Sequence, residues 1–167
     1  MFEVGDYIVY GSNGVCLVEK VGPLESQIAS KEKVYYTLSP CYVKRSTIFT
    51  PADNSKVLMR PVMTKQEGLA LIDEIKEMDC LWITDEKSRE ATYKEALQTC
   101  EARELVKVIK TILKRKQTRI AEGKKVTATD EKYCHLAQER LYGELAVALE
   151  MKKEEMQEFI EQRIKES

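Results

Sequence analysis

The fold of this chain is decided at Pro61-Val62-Met63-Thr64-Lys65-Gln66-Glu67, where one kind of sequence pattern stops and another begins. Proline cannot donate a backbone hydrogen bond, so Pro61 is suited to the end of a strand. Thr64 and Glu67 have the spacing of a capping box, in which each side chain accepts a hydrogen bond from a free amide at a helix start. We therefore expect β-structure before residue 61 and helices after residue 64.

Upstream of this point, short runs rich in β-branched and aromatic residues alternate with turn residues. Five short strands within about 60 residues bury little as an open sheet, whereas closure into a small, strongly bent barrel leaves few exposed edges. The predicted strands lie at residues 7–10, 15–18, 34–38, 47–50 and 56–60. The sequence thus predicts a five-stranded β-barrel domain over residues 1–62.

Downstream, apolar residues recur at helical spacing, which predicts an all-α domain of four to five helices over residues 64–167. The first helix follows Thr64, residues 79–85 interrupt the pattern, and Asp85 is placed to cap a second helix. A third helix ends before Gly123, and Thr129 is the expected N-terminal cap of the fourth. The predicted fold class is α+β.

Composition and charge restrict the possible functions. No apolar run approaches the roughly 18 residues of a membrane span. The first residues form neither a basic leader nor an apolar core, so we expect a cytoplasmic protein. The five cysteines are an odd number without a Cys-x-x-Cys pair, which indicates buried thiols rather than disulfides or zinc ligands. We expect no metal, no cofactor, no small-molecule substrate and no membrane partner.

A net charge of −1 hides a basic stretch, because residues 103–125 hold nine Lys or Arg against two Glu. Cations near a helix C-terminus stabilise the helix dipole, but that accounts for only two or three of them. Phosphate neutralisation by a basic ridge would explain the rest, and composition alone leaves both interpretations open. The ridge consists of Lys107, Lys110, Lys114, Arg115, Lys116, Arg119, Lys124 and Lys125.

Two further features carry alternatives. Trp82, the only tryptophan, either plugs the seam between the first two helices or contacts a partner, for example as a wedge in a minor groove. Cys134 and His135 are the residues nearest to a nucleophile pair. Helix neighbours point about 100° apart, so they cannot share a proton, and we expect no enzyme.

Several stretches of the chain form a recognisable set. The chain opens with Phe2-Glu3-Val4-Gly5-Asp6-Tyr7-Ile8-Val9-Tyr10 and continues later with Ile48-Phe49-Thr50-Pro51-Ala52-Asp53-Asn54. The C-terminal part contains Tyr93-Lys94, Asp130-Glu131-Lys132 and Leu141-Tyr142-Gly143-Glu144-Leu145-Ala146. In these stretches the chain resembles the CarD/CdnL family of bacterial transcription regulators. The N-terminal module of the family also occurs in the transcription-repair coupling helicase.

The resemblance implies a Tudor-like barrel that binds the RNA polymerase β subunit through a sheet edge, and a helical domain that contacts promoter DNA at its backbone and minor groove. Such a protein modulates the stability of the open promoter complex. We expect polymerase to be bound at Lys33, Tyr35, Tyr36, Leu38, Ile48, Phe49 and Thr50. We expect DNA to be bound at Trp82, Arg89, Lys94, Lys116, Arg119, Lys124, Lys125 and Lys132.

Two positions depart from the family pattern. Relatives have a wedge tryptophan four residues before the tyrosine matched by Tyr93, where this chain has Arg89. Either Arg89 enters the minor groove, as arginine does in narrow grooves, or Trp82 folds back to the same place. Phe49 stands where relatives have an arginine that contributes to polymerase binding. The alternative functions are a protein-only adaptor and a cysteine-dependent enzyme centred on Cys134 and His135.

Overall fold

The computed structural model describes residues 1–24 and 33–166 and divides the chain into two compact units, Met1–Val62 and Met63–Ser167. The first unit is a sheet and the second is a set of helices, which confirms the predicted α+β class. No helix within the described residues is both long enough and apolar enough to cross a lipid bilayer.

The first unit contains all five predicted strands. They are β1 (Tyr7–Tyr10), β2 (Val15–Gly22), β3 (Tyr35–Pro40), β4 (Ile48–Pro51) and β5 (Met59–Pro61). Every described pairing is antiparallel, in the order β4-β3-β2-β1-β5. The strand β2 is longer than predicted because it pairs with β3 on both sides of a β-bulge, between Val18 and Lys20.

The sheet is curled rather than flat. Two strands, β2 and β3, separate β1 from β4, so three strand spacings of about 4.8 Å would hold them about 14 Å apart in a flat sheet. The Tyr10 hydroxyl of β1 nevertheless donates a buried hydrogen bond of 3.1 Å to Thr50 Oγ1 of β4. This curl agrees with the predicted barrel, and it encloses a core of Ile8, Tyr10, Cys16, Val18, Tyr36 and Leu38.

The second unit has five helices around one apolar core. They are α1 (Lys65–Glu74), α2 (Arg89–Gln98), α3 (Ala102–Ala121), α4 (Ala128–Leu149) and α5 (Met156–Glu166). The helices α3 and α4 supply most of the core, which includes Leu105, Val108, Ile112, Ala137, Leu141, Leu145 and Met156. A 3-10 turn, Glu86–Ser88, leads directly into α2.

Most helix ends follow the sequence prediction. The capping box of Thr64 and Glu67 is present, with hydrogen bonds of 3.1 and 3.0 Å. The helix α3 ends in a Schellman motif: the Lys124 N–H donates to the Arg119 carbonyl, and Gly123 takes a φ of 76°. The prediction of Thr129 as a cap is wrong. Thr127 has the extended backbone and accepts from the Asp130 N–H at 3.1 Å, because a cap bonds the amide three residues ahead.

The stretch Tyr142-Gly143-Glu144-Leu145-Ala146 belongs to the interior of the second unit. The Glu144 side chain is buried, and its carboxylate accepts a hydrogen bond of 3.0 Å from the backbone N–H of Met63. Leu145 packs on α1, where its Cδ2 lies 3.3 Å from the place that a Cβ on Gly68 would occupy. The stretch therefore ties the start of the second unit to α4, and its role is in folding.

Candidate nucleic-acid interface

An exposed tryptophan marks the segment between α1 and α2. Leu81 and Ile83 pack against the helical core, while the side chain of Trp82 between them is 86% exposed. The interpretation of Trp82 as a plug between the first two helices is therefore wrong, because in this extended segment the neighbours of Trp82 supply the apolar anchors. The indole is therefore accessible to a partner, on a segment whose neighbouring residues are anchored in the core.

The segment is held in place by α3. The Lys110 ammonium donates hydrogen bonds to the carbonyl oxygens of Ile75, Lys76 and Met78, and the first of these is 2.7 Å long. The Leu81 N–H donates to Thr111 Oγ1 at 2.9 Å. Lys110 thus satisfies carbonyls left over at the end of the first helical segment, and we assign it a structural role rather than a phosphate contact.

Trp82 and Arg89, the two alternatives for the minor-groove position, line the same surface. They border a groove of about 330 Å³, here called the Trp82 groove, together with Thr111, Lys114, Arg115 and Thr118. Lys114 and Arg115 come from the C-terminal half of α3. The structure therefore brings together one exposed aromatic ring and three cationic side chains from separate parts of the sequence.

A fully buried carboxylate lies behind this groove. Asp130, in the first turn of α4, accepts a hydrogen bond of 3.0 Å from the Tyr93 hydroxyl at Oδ1. Its Oδ2 lies 3.1 Å from Arg115 Nε without the alignment of a hydrogen bond, so this contact is an ion pair. Burial raises the pKa of Tyr93, which keeps its hydroxyl a neutral donor. Asp130 thereby fixes the position of Arg115.

A second carboxylate, that of Glu86, joins both arginines at the surface. Its Oε1 accepts from Arg115 Nη1 at 2.6 Å, and its two oxygens accept from Arg89 Nε at 3.1 and 3.3 Å. The other end of the Arg89 guanidinium donates to the Tyr93 hydroxyl at 3.2 Å. The hydrogen bond from Arg115 is the main cause that lowers the pKa of Glu86. Arg89 is therefore held within a network rather than extended into solvent.

Lys94 and Lys132, here called the lysine pair, lie on either side of one glutamate. Glu90 accepts a hydrogen bond of 3.2 Å from the Tyr133 hydroxyl and pairs with the Lys94 ammonium at 3.4 Å. The Lys132 ammonium lies 5.4 Å from the centroid of the Tyr133 ring. The pKa of Glu90 is lowered mainly by its contact with Lys94. The hydrogen bond from Tyr133 and the more distant charge of Lys132 lower it further. Both lysines are exposed, so the structure brings these two predicted residues together at the surface.

The remaining predicted DNA-binding residues do not join the groove. The Arg119 Nε donates to the Lys125 carbonyl at 2.8 Å and so closes the loop after α3, and Lys124 pairs with Glu122 at 3.4 Å. Lys116 lies near Cys134 of α4. The basic residues of α3 therefore do not all share one surface, because Lys114 and Arg115 line the groove while Lys116 lies near α4 and Arg119 bonds to the following loop.

The helical residues that sequence reasoning missed are those that depend on tertiary contacts. Lys114 and Arg115 were seen only as members of a general ridge, although they line the groove. Glu86 has no signal in the sequence, and Asp130 is marked only as part of the stretch Asp130-Glu131-Lys132, because acids in the first turn of a helix are expected from the dipole alone. The burial of Arg115, whose side chain is only 15% exposed, distinguishes this cluster from the other basic residues. This burial can be seen only in the folded structure.

The predicted polymerase-binding residues divide into two groups. The side chains of Tyr36, Leu38 and Thr50 are buried in the sheet unit, so the prediction that they contact polymerase is corrected. The strand β3 pairs with both β2 and β4 from Tyr35 to Leu38, which leaves these predicted residues no free edge for strand addition. Among the described strands, β4 lies at an edge, and Ile48 on it packs partly against the core.

The exposed features of this edge are few. Phe49 of β4 is 58% exposed, and the Lys33 ammonium lies 5.9 Å from the Tyr35 ring centroid. The Ala52 N–H donates to the Val34 carbonyl across the β3–β4 pair. Because such bonds alternate along an antiparallel pair, the N–H and C=O of Phe49 point away from β3. The edge therefore offers one apolar side chain and its own backbone groups.

The cysteine-centred alternative finds no supporting geometry. Burial raises the pKa of Cys134, which keeps its thiol protonated, while His135 is exposed. Burial likewise raises the pKa of Cys16 to about 11. Among the described residues, no group of three or more His, Cys, Asp or Glu is placed to hold a metal ion.

Comparison with protein families accounts for the first unit. The model of the CarD-like/TRCF RID domain, an RNA polymerase-interacting domain, matches residues 2–63. No curated protein matches the chain. The match ends at Met63, so the resemblance of the helical unit to a DNA-binding domain stays a prediction. The first unit is a CarD-like/TRCF RID domain by this match. The match supports RNA polymerase as a binding partner.

Proposed function

We propose that this chain, which carries a CarD-like/TRCF RNA polymerase-interacting domain, is a transcription regulator that holds polymerase with its sheet unit and promoter DNA with its helical unit. In this proposal the sheet unit binds the β subunit, and the helical unit binds the upstream edge of the melting duplex. The protein would act in the cytoplasm, and no catalytic step or cofactor is needed.

The observation that carries the DNA half of the proposal is the exposed Trp82 on a cationic groove. Proteins that bind the minor groove insert apolar wedges between base steps while cations contact the neighbouring phosphates. Trp82 is suited to be the wedge, since its segment is anchored on both sides by Leu81 and Ile83. Lys114 and Arg115 are suited to the phosphates.

The same geometry favours Trp82 over Arg89 as the residue that enters the groove. The Arg89 side chain is only 19% exposed and is hydrogen-bonded at both ends of its guanidinium. Inserting it would break contacts with Glu86 and Tyr93, whereas Trp82 has no such contacts to lose. We therefore propose that Arg89 orients a phosphate and Trp82 enters the minor groove.

An effect on promoter opening requires unequal binding to the two states. A ligand with equal affinity for closed and open complexes shifts nothing, however tightly it binds. A wedge that unstacks a base step binds better to DNA that is already distorted, so Trp82 supplies the difference in affinity. The sheet unit adds affinity through polymerase in both states.

The DNA half is tested by Trp82→Ala in the full chain, measured by the salt-dependent anisotropy of a labelled promoter duplex with and without polymerase. We expect a loss of about 1–3 kcal/mol in binding and an unchanged melting temperature, because the side chain is exposed. Ile120→Ala, which removes an exposed apolar side chain outside the groove, is the matched control. Equal affinity of both variants and the wild type would remove Trp82 as the wedge, whereas no DNA binding by the wild type, with or without polymerase, would favour the protein-only adaptor.

The polymerase half is tested at the edge of β4. Phe49→Asp in the full chain should reduce capture of the isolated β subunit by about tenfold, because it places a charge in an apolar contact. Val43→Asp changes another exposed apolar residue of the same unit and serves as control. If Phe49→Asp captures the β subunit as well as the control does, the proposed β4 contact is wrong.

A further inference from the structure

Glu86 differs from every other acidic residue near the Trp82 groove, because it contacts both of the groove's arginines at once. Its side chain is 68% exposed, whereas those of Arg89 and Arg115 are 19% and 15% exposed. The carboxylate thus lies on the solvent side of two arginine side chains that are themselves largely buried.

The charges of this cluster balance. Two arginines, Arg89 and Arg115, are offset by two carboxylates, Asp130 and Glu86. Asp130 is fully buried and has no route to move. Glu86 is exposed and sits on a short 3-10 turn, so its side chain can rotate away. When it does, the cluster gains one net positive charge beside Lys114.

We propose that Glu86 occupies the position of a DNA phosphate and is displaced when the backbone binds, so that it acts as an internal competitor that limits affinity for DNA. The inference rests on the proposed function of the groove. Carboxylate and phosphate both accept the paired N–H groups of arginine, so the two anions can exchange on the same donors.

The scaffold does not depend on Glu86. Asp85 caps the turn by accepting from the Ser88 N–H at 2.8 Å. Arg115 keeps its ion pair with Asp130, and Arg89 keeps its hydrogen bond to Tyr93. Exposed ion pairs add little to stability, so the bridge has a small structural value. Its simultaneous contact with both arginines of the groove is what the competitor role explains.

The experiment compares full-chain wild type, Glu86→Gln and Glu95→Gln by anisotropy on one labelled duplex of about 20 base pairs, across a salt series. Glu95 is an exposed glutamate of α2 that makes none of these contacts, so its variant controls for the change in net charge. We expect Glu86→Gln to raise affinity about fivefold at low salt and to steepen the salt slope by about 1, as one more phosphate contact requires. Glu95→Gln should stay within about twofold of wild type.

The outcomes separate the inference from the function on which it rests. If wild type binds DNA and Glu86→Gln binds equally or more weakly, the competitor role is wrong and the proposed function stands. If neither protein binds DNA, with or without polymerase, the proposed function fails and the inference fails with it. If the gain in DNA affinity of Glu86→Gln disappears in the double variant Glu86→Gln with Arg115→Met, the competition takes place at the Arg115 guanidinium.

Discussion

The Trp82 groove and the lysine pair both present positive charge on the helical unit, but the structure holds these charges in different ways. Behind the groove, Asp130 and Tyr93 fix the arginines through buried contacts. The side chains of Lys94 and Lys132 are exposed; the Lys94 ammonium pairs with Glu90, and the Lys132 ammonium lies near the Tyr133 ring. Fixed arginines can set the orientation of a duplex, whereas mobile lysines add attraction that depends on salt.

This difference makes distinct demands on the fold. A buried carboxylate is tolerated only if it is paired, so the groove is coupled to the stability of the helical unit. The lysine pair has no such coupling, because exposed ion pairs contribute close to nothing to folding. Substitutions behind the groove should therefore change stability and binding together, while substitutions in the lysine pair should change binding alone.

The largest effect is expected from Asp130→Asn. The change removes the buried charge that pairs with Arg115, and breaking such a pair costs about 3 kcal/mol in the free energy of unfolding. Urea unfolding followed by circular dichroism at 222 nm, where helices dominate, measures it. Glu131→Gln removes the same charge from the exposed neighbouring position and should cost under about 0.5 kcal/mol. Similar unfolding curves for the two variants would show that Asp130 does not support the groove.

A smaller effect is expected from Lys110→Met, which leaves the carbonyls of Ile75 and Met78 without their charged donor. Charge-assisted hydrogen bonds contribute about 1.5–3 kcal/mol, so the segment that carries Trp82 should loosen. Because Trp82 is the only tryptophan, the anisotropy of intrinsic fluorescence reports its motion directly. We expect lower anisotropy and several-fold weaker DNA binding. Lys107→Met, whose lysine pairs with Glu104, is the control, and equal anisotropy in both variants would contradict the anchoring role.

The sequence predicts what is local and misses what depends on long-range contacts. The capping box at Thr64 and the stop at Gly123 are specified by residues three or four apart, so both were predictable. The inner position of β3 depends on its pairing with both neighbouring strands, β2 and β4, and the local pattern of β3 does not reveal which strands end at an edge. Trp82 is exposed because its neighbours Leu81 and Ile83 pack against the helical core. The run Leu81-Trp82-Ile83 is apolar throughout, so the sequence does not show which of these side chains faces the core.

The smallest effect on folding is expected from the double variant Lys94→Ala with Lys132→Ala. Each lysine that neutralises a phosphate contributes about 0.9 to the slope of log affinity against log salt, so the slope should fall by about 2. The melting temperature should hardly change, because the Lys94 side chain is 57% exposed and Lys132 is also at the surface. The control removes two exposed lysines from elsewhere, Lys152 and Lys165, at the same cost in net charge. A slope that falls equally in both double variants would mean that DNA senses the overall charge of the helical unit, and the lysine pair would then have no contact of its own.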